Sequence, residues 1–156
     1  MKPDFSIIIP AYNEEHRIGT LLSQILGRGG HYLVIFDGSD ATPTIVREYS
    51  KAHPETDLRC LVYPHRLGKG GAVKEGFINA DTAYVGFMDA DASTSVAQMV
   101  SLFEELGEVD CVVGSRWLPG SIVPERQGIA RRLESRGFNL LIRLLFGLSL
   151  TDTQCG

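Results

Sequence analysis

Short β-branched runs alternate with amphipathic stretches along most of the chain, the pattern of βαβ units wound around a mostly parallel sheet. Apolar residues cluster at 5–9, 32–36, 58–63, 83–88 and 111–114, and each run is expected to be a strand. Between the first two, Ile18, Leu21, Leu22, Ile25 and Leu26 recur at helical spacing, and Gly27-Arg28-Gly29-Gly30 ends that helix. Further helices are expected over 44–52, 69–80 and 96–106, before a loop containing Pro119, Gly120 and Pro124. The last long element, 128–147, reads as a helix in which Arg132, Arg136, Asn139 and Arg143 share a stripe roughly 60° wide. Phe138, Leu140, Leu141, Ile142, Leu144, Leu145 and Phe146 cover most of its remaining surface, more than one core face requires. Two readings stand: a core helix with a solvated arginine stripe, or a helix at a membrane surface with arginines toward lipid phosphates.

A length of 156 residues fits one domain, and 44% apolar with 22% charged residues describes a globular chain. The net charge of -4 argues against a general nucleic-acid binder, which needs an excess of Lys and Arg. Charge is uneven, however. Between residues 116 and 143 there are six arginines against two acids, so this stretch is suited to a phosphate or an anionic membrane. Cys60, Cys111 and Cys155 form no CxxC pair and no closed disulfide set, which fits a reducing, cytoplasmic setting. The N-terminus lacks the pattern of a signal peptide, and no apolar run approaches the roughly 20 residues of a membrane span.

Ligands of open parallel sheets bind beyond the carboxyl ends of the strands, so the residues following each run matter most. These are Tyr12, Asn13 and Glu14; Asp37; His65, Arg66 and Lys69; Asp89 and Asp91; and Ser115 and Arg116. Asp89-Ala90-Asp91 is the sharpest feature. Two carboxylates one residue apart at a strand end can both reach a hard cation and leave positions for phosphate oxygens. Alone, such a pair is more often a turn with helix-capping acids; following the buried run Val85-Gly86-Phe87-Met88, it becomes a candidate site. The segment His65-Arg66-Leu67-Gly68-Lys69-Gly70-Gly71 is similar to a phosphate cradle at a helix N-terminus. Tyr63 and Gly70 stand where a Walker A loop needs Gly and Ser or Thr, and Pro10-Ala11-Tyr12-Asn13 is not a dinucleotide fingerprint. Asp37 by itself reads as a helix cap or turn residue. Ser39, Ser93 and Ser115 lack an evident base, which gives a serine hydrolase little support.

Taken in order, Ile7-Ile8-Ile9-Pro10-Ala11-Tyr12-Asn13-Glu14-Glu15, Phe36-Asp37-Gly38-Ser39-Asp40, Gly68-Lys69-Gly70-Gly71-Ala72, Met88-Asp89-Ala90-Asp91 and Gly114-Ser115-Arg116 form a pattern. With Ser135-Arg136-Gly137-Phe138-Asn139 and Asp152-Thr153-Gln154-Cys155-Gly156, the chain resembles a family 2 glycosyltransferase, nearest the polyprenyl-phosphate (dolichyl-phosphate) hexosyltransferases. The resemblance implies one GT-A domain over 1–156, a Rossmann-like α/β fold with a mostly parallel sheet. Residues 1–115 would bind the nucleotide sugar and 116–156 would form an incomplete, membrane-proximal acceptor side, cut short relative to the family. It implies that Pro10, Ala11, Tyr12, Glu14 and Asp37 hold the nucleoside, with Asp37 accepting from the base. Lys69 and Gly70 belong to the phosphate loop, and Asp89, Ala90 and Asp91 would bind the diphosphate, the two acids through Mg or Mn. Arg116, Arg131 and Arg136 would handle donor and acceptor phosphates, and Asp152 is a further candidate catalytic residue. One departure is Phe36, where the family often has an acid before Asp37.

The expected reaction is inverting transfer of a hexose from a UDP- or GDP-sugar to a polyprenyl phosphate at the cytoplasmic face of a membrane. Two alternatives stay open: a family 2 transferase acting on a glycan or glycolipid hydroxyl, and a nucleotide-sugar-binding module without turnover. A nucleotidyltransferase lacks support, because no glycine-rich loop follows the first strand.

Overall fold

Strand β1 (Phe5–Ala11) pairs in parallel with β2 (His31–Phe36) on one side and with β4 (Tyr84–Phe87) on the other. β2 pairs in parallel with β3 (Asp57–Val62), giving a four-stranded sheet ordered β3-β2-β1-β4. The computed structural model describes residues 4–107, 109–115 and 145. Its chain divides into two compact units, Met1–Asp110 and Cys111–Gly156, and the sheet lies within the first.

The helices are α1 (Ile18–Ile25), α2 (Thr42–Ala52), α3 (Gly68–Ile78) and α4 (Val96–Glu104). Strand alternation separates two apolar layers. Ile7, Ile9 and Ala11 of β1 join Val34 and Phe36 of β2 in a core closed by Leu21 and Ile25 of α1, Val46 of α2 and Phe103 of α4. Phe5 stacks on Phe103 with ring centroids 4.5 Å apart. On the other layer Ile8, Leu33 and Ile35 meet Ala72 of α3. Full burial of each such Ile or Leu contributes about 1.5–3 kcal/mol, enough to fix strand register on both faces. α4 starts at a capping box in which the Ser95 hydroxyl accepts from the Gln98 N–H and Gln98 Oε1 accepts from the Ser95 N–H.

The expected strands at 5–9, 32–36, 58–63 and 83–88 and the helices between them agree with these elements to within a few residues. The expected strand at 111–114 does not form: residues 111–115 carry no strand pairing. Cys111, Val112 and Val113 make an apolar run of only three, and strand structure comes from ladder hydrogen bonds rather than from β-branching alone. Apart from Leu145, the expected helix over 128–147 lies outside the described residues, as does the loop at Pro119, Gly120 and Pro124. Among the described residues, no helix is long and apolar enough to cross a membrane.

Candidate functional site

The strand order places a topological switch point between β1 and β4. From β1 the chain turns through α1 to β2, whereas β4 is reached from β3 through α3 on the opposite layer, and such a divergence leaves a crevice at the carboxyl ends. An open cleft of about 180 Å³ lies there. β1 and its exit contribute Pro10, Ala11, Tyr12 and Glu14 to its lining, and β2 contributes Asp37. The start of α3 contributes Arg66, Gly68, Lys69 and Ala72, and the exit of β4 contributes Asp89, Ala90 and Asp91. Gly70 is not part of the lining, and Arg66 is a participant that the motif order alone did not single out as a binding residue.

Asp37 is buried, its side chain 3% exposed. Its Oδ2 accepts from the Leu67 N–H at 2.7 Å and the Gly68 N–H at 2.8 Å, while Arg66 Nη1 stands 3.3 Å from Oδ1. Asp37 therefore caps a helix, but the helix is α3, thirty residues further along, and not α2, whose N-terminus begins after Asp40. Gly68 has φ of 71°, a backbone conformation that disfavours side chains and that turns two successive N–H groups onto one oxygen. The phosphate-cradle expectation changes accordingly: the first two N–H donors of this loop are already used by a protein carboxylate.

The loops after β1 and β2 lock together. The Glu15 N–H donates to Asp40 Oδ2 at 2.9 Å, and the Ala41 N–H donates to Glu15 Oε2 at 3.0 Å. The Glu14 N–H donates to Thr42 Oγ1 at 3.0 Å, and the Ser39 N–H donates to Asn13 Oδ1 at 2.9 Å. This reciprocal pairing fixes Tyr12 relative to Asp37. Asn13 tolerates the φ of 55° that the turn demands better than most side chains would. Burial works against charge on Asp40, yet the Thr42 hydroxyl and the N–H groups of Glu15 and Thr42 outweigh it and hold the carboxyl below its usual range.

At the other end of the cleft, Lys69 Nζ lies 2.5 Å from Asp89 Oδ1. Asp91 Oδ1 accepts from the Ser93 N–H at 2.9 Å across Ala92, whose φ of 58° is left-handed. Partial burial opposes ionisation of Asp91, but Ser93 and the nearby charges of Arg17 and Lys69 prevail, and its carboxyl sits below the usual range. Arg17, which also pairs with Glu14 Oε2 at 2.7 Å, was not visible as part of this site from its position in the sequence.

Asp89 and Asp91 give hard oxygen ligands on one wall of a cleft. Among the described residues no group of three or more His, Cys, Asp or Glu side chains converges on a metal position. A site of this kind suits an ion that takes one or two carboxylates and completes its shell with phosphate oxygens and water, as Mg does. Arg116, Arg131, Arg136 and Asp152 lie outside the described residues.

A parallel α/β sheet of this order, with acids at a switch-point crevice, is the arrangement of a doubly wound nucleotide-binding fold, and the solved structures it is similar to make it a GT-A fold. A family model described as glycosyl transferase family 2 matches residues 6–155, and the chain belongs to that family. A protein of Drosophila melanogaster named dolichyl-phosphate beta-glucosyltransferase is 31% identical over 172 residues, covering 98% of this chain and 53% of that protein. Glycosyltransferase AglD of Haloferax volcanii is 32% identical, covering 98% of this chain and 26% of that protein. Among solved structures, mannosyltransferase PcManGT from Pyrobaculum calidifontis, in complex with GDP-Man and Mn2+, is similar with a TM-score of 0.54 and 28% identity. That match covers 58% of this chain and 28% of the mannosyltransferase. The chain thus spans about half the length of the Drosophila relative.

Proposed function

We propose that the chain is the donor-binding part of a glycosyltransferase that moves a hexose from a nucleoside diphosphate sugar to a polyprenyl phosphate with inversion. The carrying observation is that Asp37, Asp89 and Asp91, from two strand ends either side of β1, line one cleft with Tyr12 and Lys69. The names of the relatives support the acceptor class, and the GDP-Man and Mn2+ complex of the mannosyltransferase supports the donor class and the ion.

In this reading Tyr12 and Arg66 form the wall against which the nucleoside rests, and Asp37 directs a carboxylate oxygen toward a base N–H. Asp89 and Asp91 hold Mg or Mn, which when bound offsets the negative charge that collects on the departing diphosphate. Lys69 adds a cation on the same side. The reaction is one displacement: a phosphate oxygen of the acceptor bonds to the anomeric carbon as the bond from that carbon to the donor β-phosphate oxygen breaks. The nucleoside diphosphate leaves with the electron pair, and the configuration inverts. An acceptor phosphate is already anionic near neutral pH, so positioning and charge stabilisation dominate over general-base help. Arg116 and Arg131 are assigned to the phosphates, Asp152 to the acceptor side, and the arginine-rich segment to the cytoplasmic face of a membrane.

The test is calorimetric titration of UDP-glucose and GDP-mannose with and without Mn2+, on the wild type and on Asp91→Ala. Loss of metal-dependent binding in the variant is the expected result. Unchanged binding in Asp91→Ala would discard the assignment of the acids. A thin-layer assay offering polyprenyl phosphate beside an oligosaccharide separates transfer to phosphate from transfer to a sugar hydroxyl.

A further inference from the structure

Lys69 begins in the first turn of α3, a turn anchored because Asp37 accepts from the two preceding N–H groups. Its backbone is therefore fixed, while its four-carbon stem is free to reach in more than one direction. In the structure the ammonium spends that reach on Asp89, at 2.5 Å from Oδ1, with the Phe87 ring 5.7 Å away. The side chains are 56% and 32% exposed, so water reaches the pair and the contact is exchangeable rather than sealed in the core. The same ammonium borders the cleft that Tyr12, Asp37 and Asp91 line.

A divalent cation and an ammonium cannot both sit against one carboxylate oxygen without strong repulsion. We propose that Lys69 is a coupling residue: it neutralises Asp89 until a divalent cation competes for that carboxylate, and on release it turns to the diphosphate oxygens in the same cleft. The proposal rests on reading Asp89 and Asp91 as the cation ligands. It has two opposite consequences. Lys69 weakens binding of the cation by itself, because Asp89 must first give up its partner. It strengthens binding of cation and diphosphate together, because the freed ammonium then gains an anion, and this coupling is reciprocal between the two ligands.

The experiment uses the full chain with MnCl2 alone, then UDP and GDP separately, each with and without Mn2+, followed by calorimetry and by the electron paramagnetic resonance of free Mn2+. Lys69→Met is expected to bind Mn2+ alone about fivefold more tightly and to lose roughly tenfold of the Mn2+-dependent gain in nucleotide affinity. Lys69→Gln repeats the loss of charge with a polar side chain, and Lys69→Arg is expected to return Mn2+ affinity to the wild-type value. If Lys69→Met and Lys69→Gln bind Mn2+ no more tightly than wild type while Asp91→Ala abolishes Mn2+ binding, the coupling is overturned and the cation site stands. If neither the Lys69 variants nor Asp91→Ala alters Mn2+ binding, the cation site itself fails and the coupling falls with it.

Discussion

Arg66 lies over the ring of Tyr12, its guanidinium carbon 3.2 Å from the ring centroid, while its Nη1 reaches Asp37. The stack joins the loop after β1 to the loop after β3 and covers the carboxylate proposed to meet the base. Both side chains are about half exposed, so the stack itself is worth only about 0.5–1 kcal/mol. Arg66→Ala is expected to lower stability only modestly, by about 1 kcal/mol, because the Leu67 and Gly68 N–H groups still hold Asp37 when the stack and the Arg66 contact are lost, and to weaken UDP and GDP binding roughly tenfold, the scale of one lost hydrogen bond to a charged group. Calorimetry beside urea unfolding checks both halves, and a large loss of stability with intact nucleotide affinity would contradict this role.

Asp40 is expected to make the chain acid-sensitive. Its carboxyl titrates lower in the folded chain than in the unfolded one, because Thr42 and Glu15 bond its charged form. The unfolded state thus takes up the proton first as pH falls. The stabilisation is complete above the ordinary aspartate value of about 3.9 and is lost as pH drops through the lower folded value. Asp40→Asn should be less stable than wild type at pH 7, by about 1 kcal/mol, and the gap should narrow as the pH falls from 7 to below about 3.9. Urea unfolding of both proteins across that interval gives the comparison; a gap that stays constant would assign the loss to geometry rather than to charge.

Gly76 sits in α3 where helix propensity favours alanine by about 1 kcal/mol. A Cβ at this position would overlap the Ile8 side chain, fully buried in β1, so the helix or the strand would have to shift. Overpacking of this kind costs about 1–3 kcal/mol, which exceeds the propensity gain. Gly76→Ala is expected to lower the melting temperature, with Gly70→Ala as the control because a Cβ there meets nothing within 4 Å.

Regular features of the fold were legible because they repeat at short range. The β-branched runs and the Ile18, Leu21, Leu22, Ile25 periodicity located the first four strands and the helices between them, and the strand-end rule pointed to Asp37, Asp89 and Asp91. What escaped was contact between distant positions. Nothing at Asp37 announces that it caps α3, since its partners Leu67 and Gly68 donate backbone N–H groups that no side chain marks. The pairing of Glu15 with Asp40 and Ala41, and the approach of Arg17 to Asp91, arise from adjacent strands ending at one rim. Residues 111–114 mark the opposite error: strand-forming residues that carry no strand ladder among the described residues.

Because one oxygen of Asp37 secures the opening turn of α3, this position answers to two requirements at once. A change made there to alter which nucleotide is accepted would also loosen the turn carrying Lys69, so altered preference and weakened architecture would arrive together. Anyone seeking a different donor would do better to leave this carboxylate alone and vary Tyr12 first, which is half exposed and, among the described residues, has Arg66 alone as a ring contact, and Arg66 second, since its Nη1 also reaches Asp37.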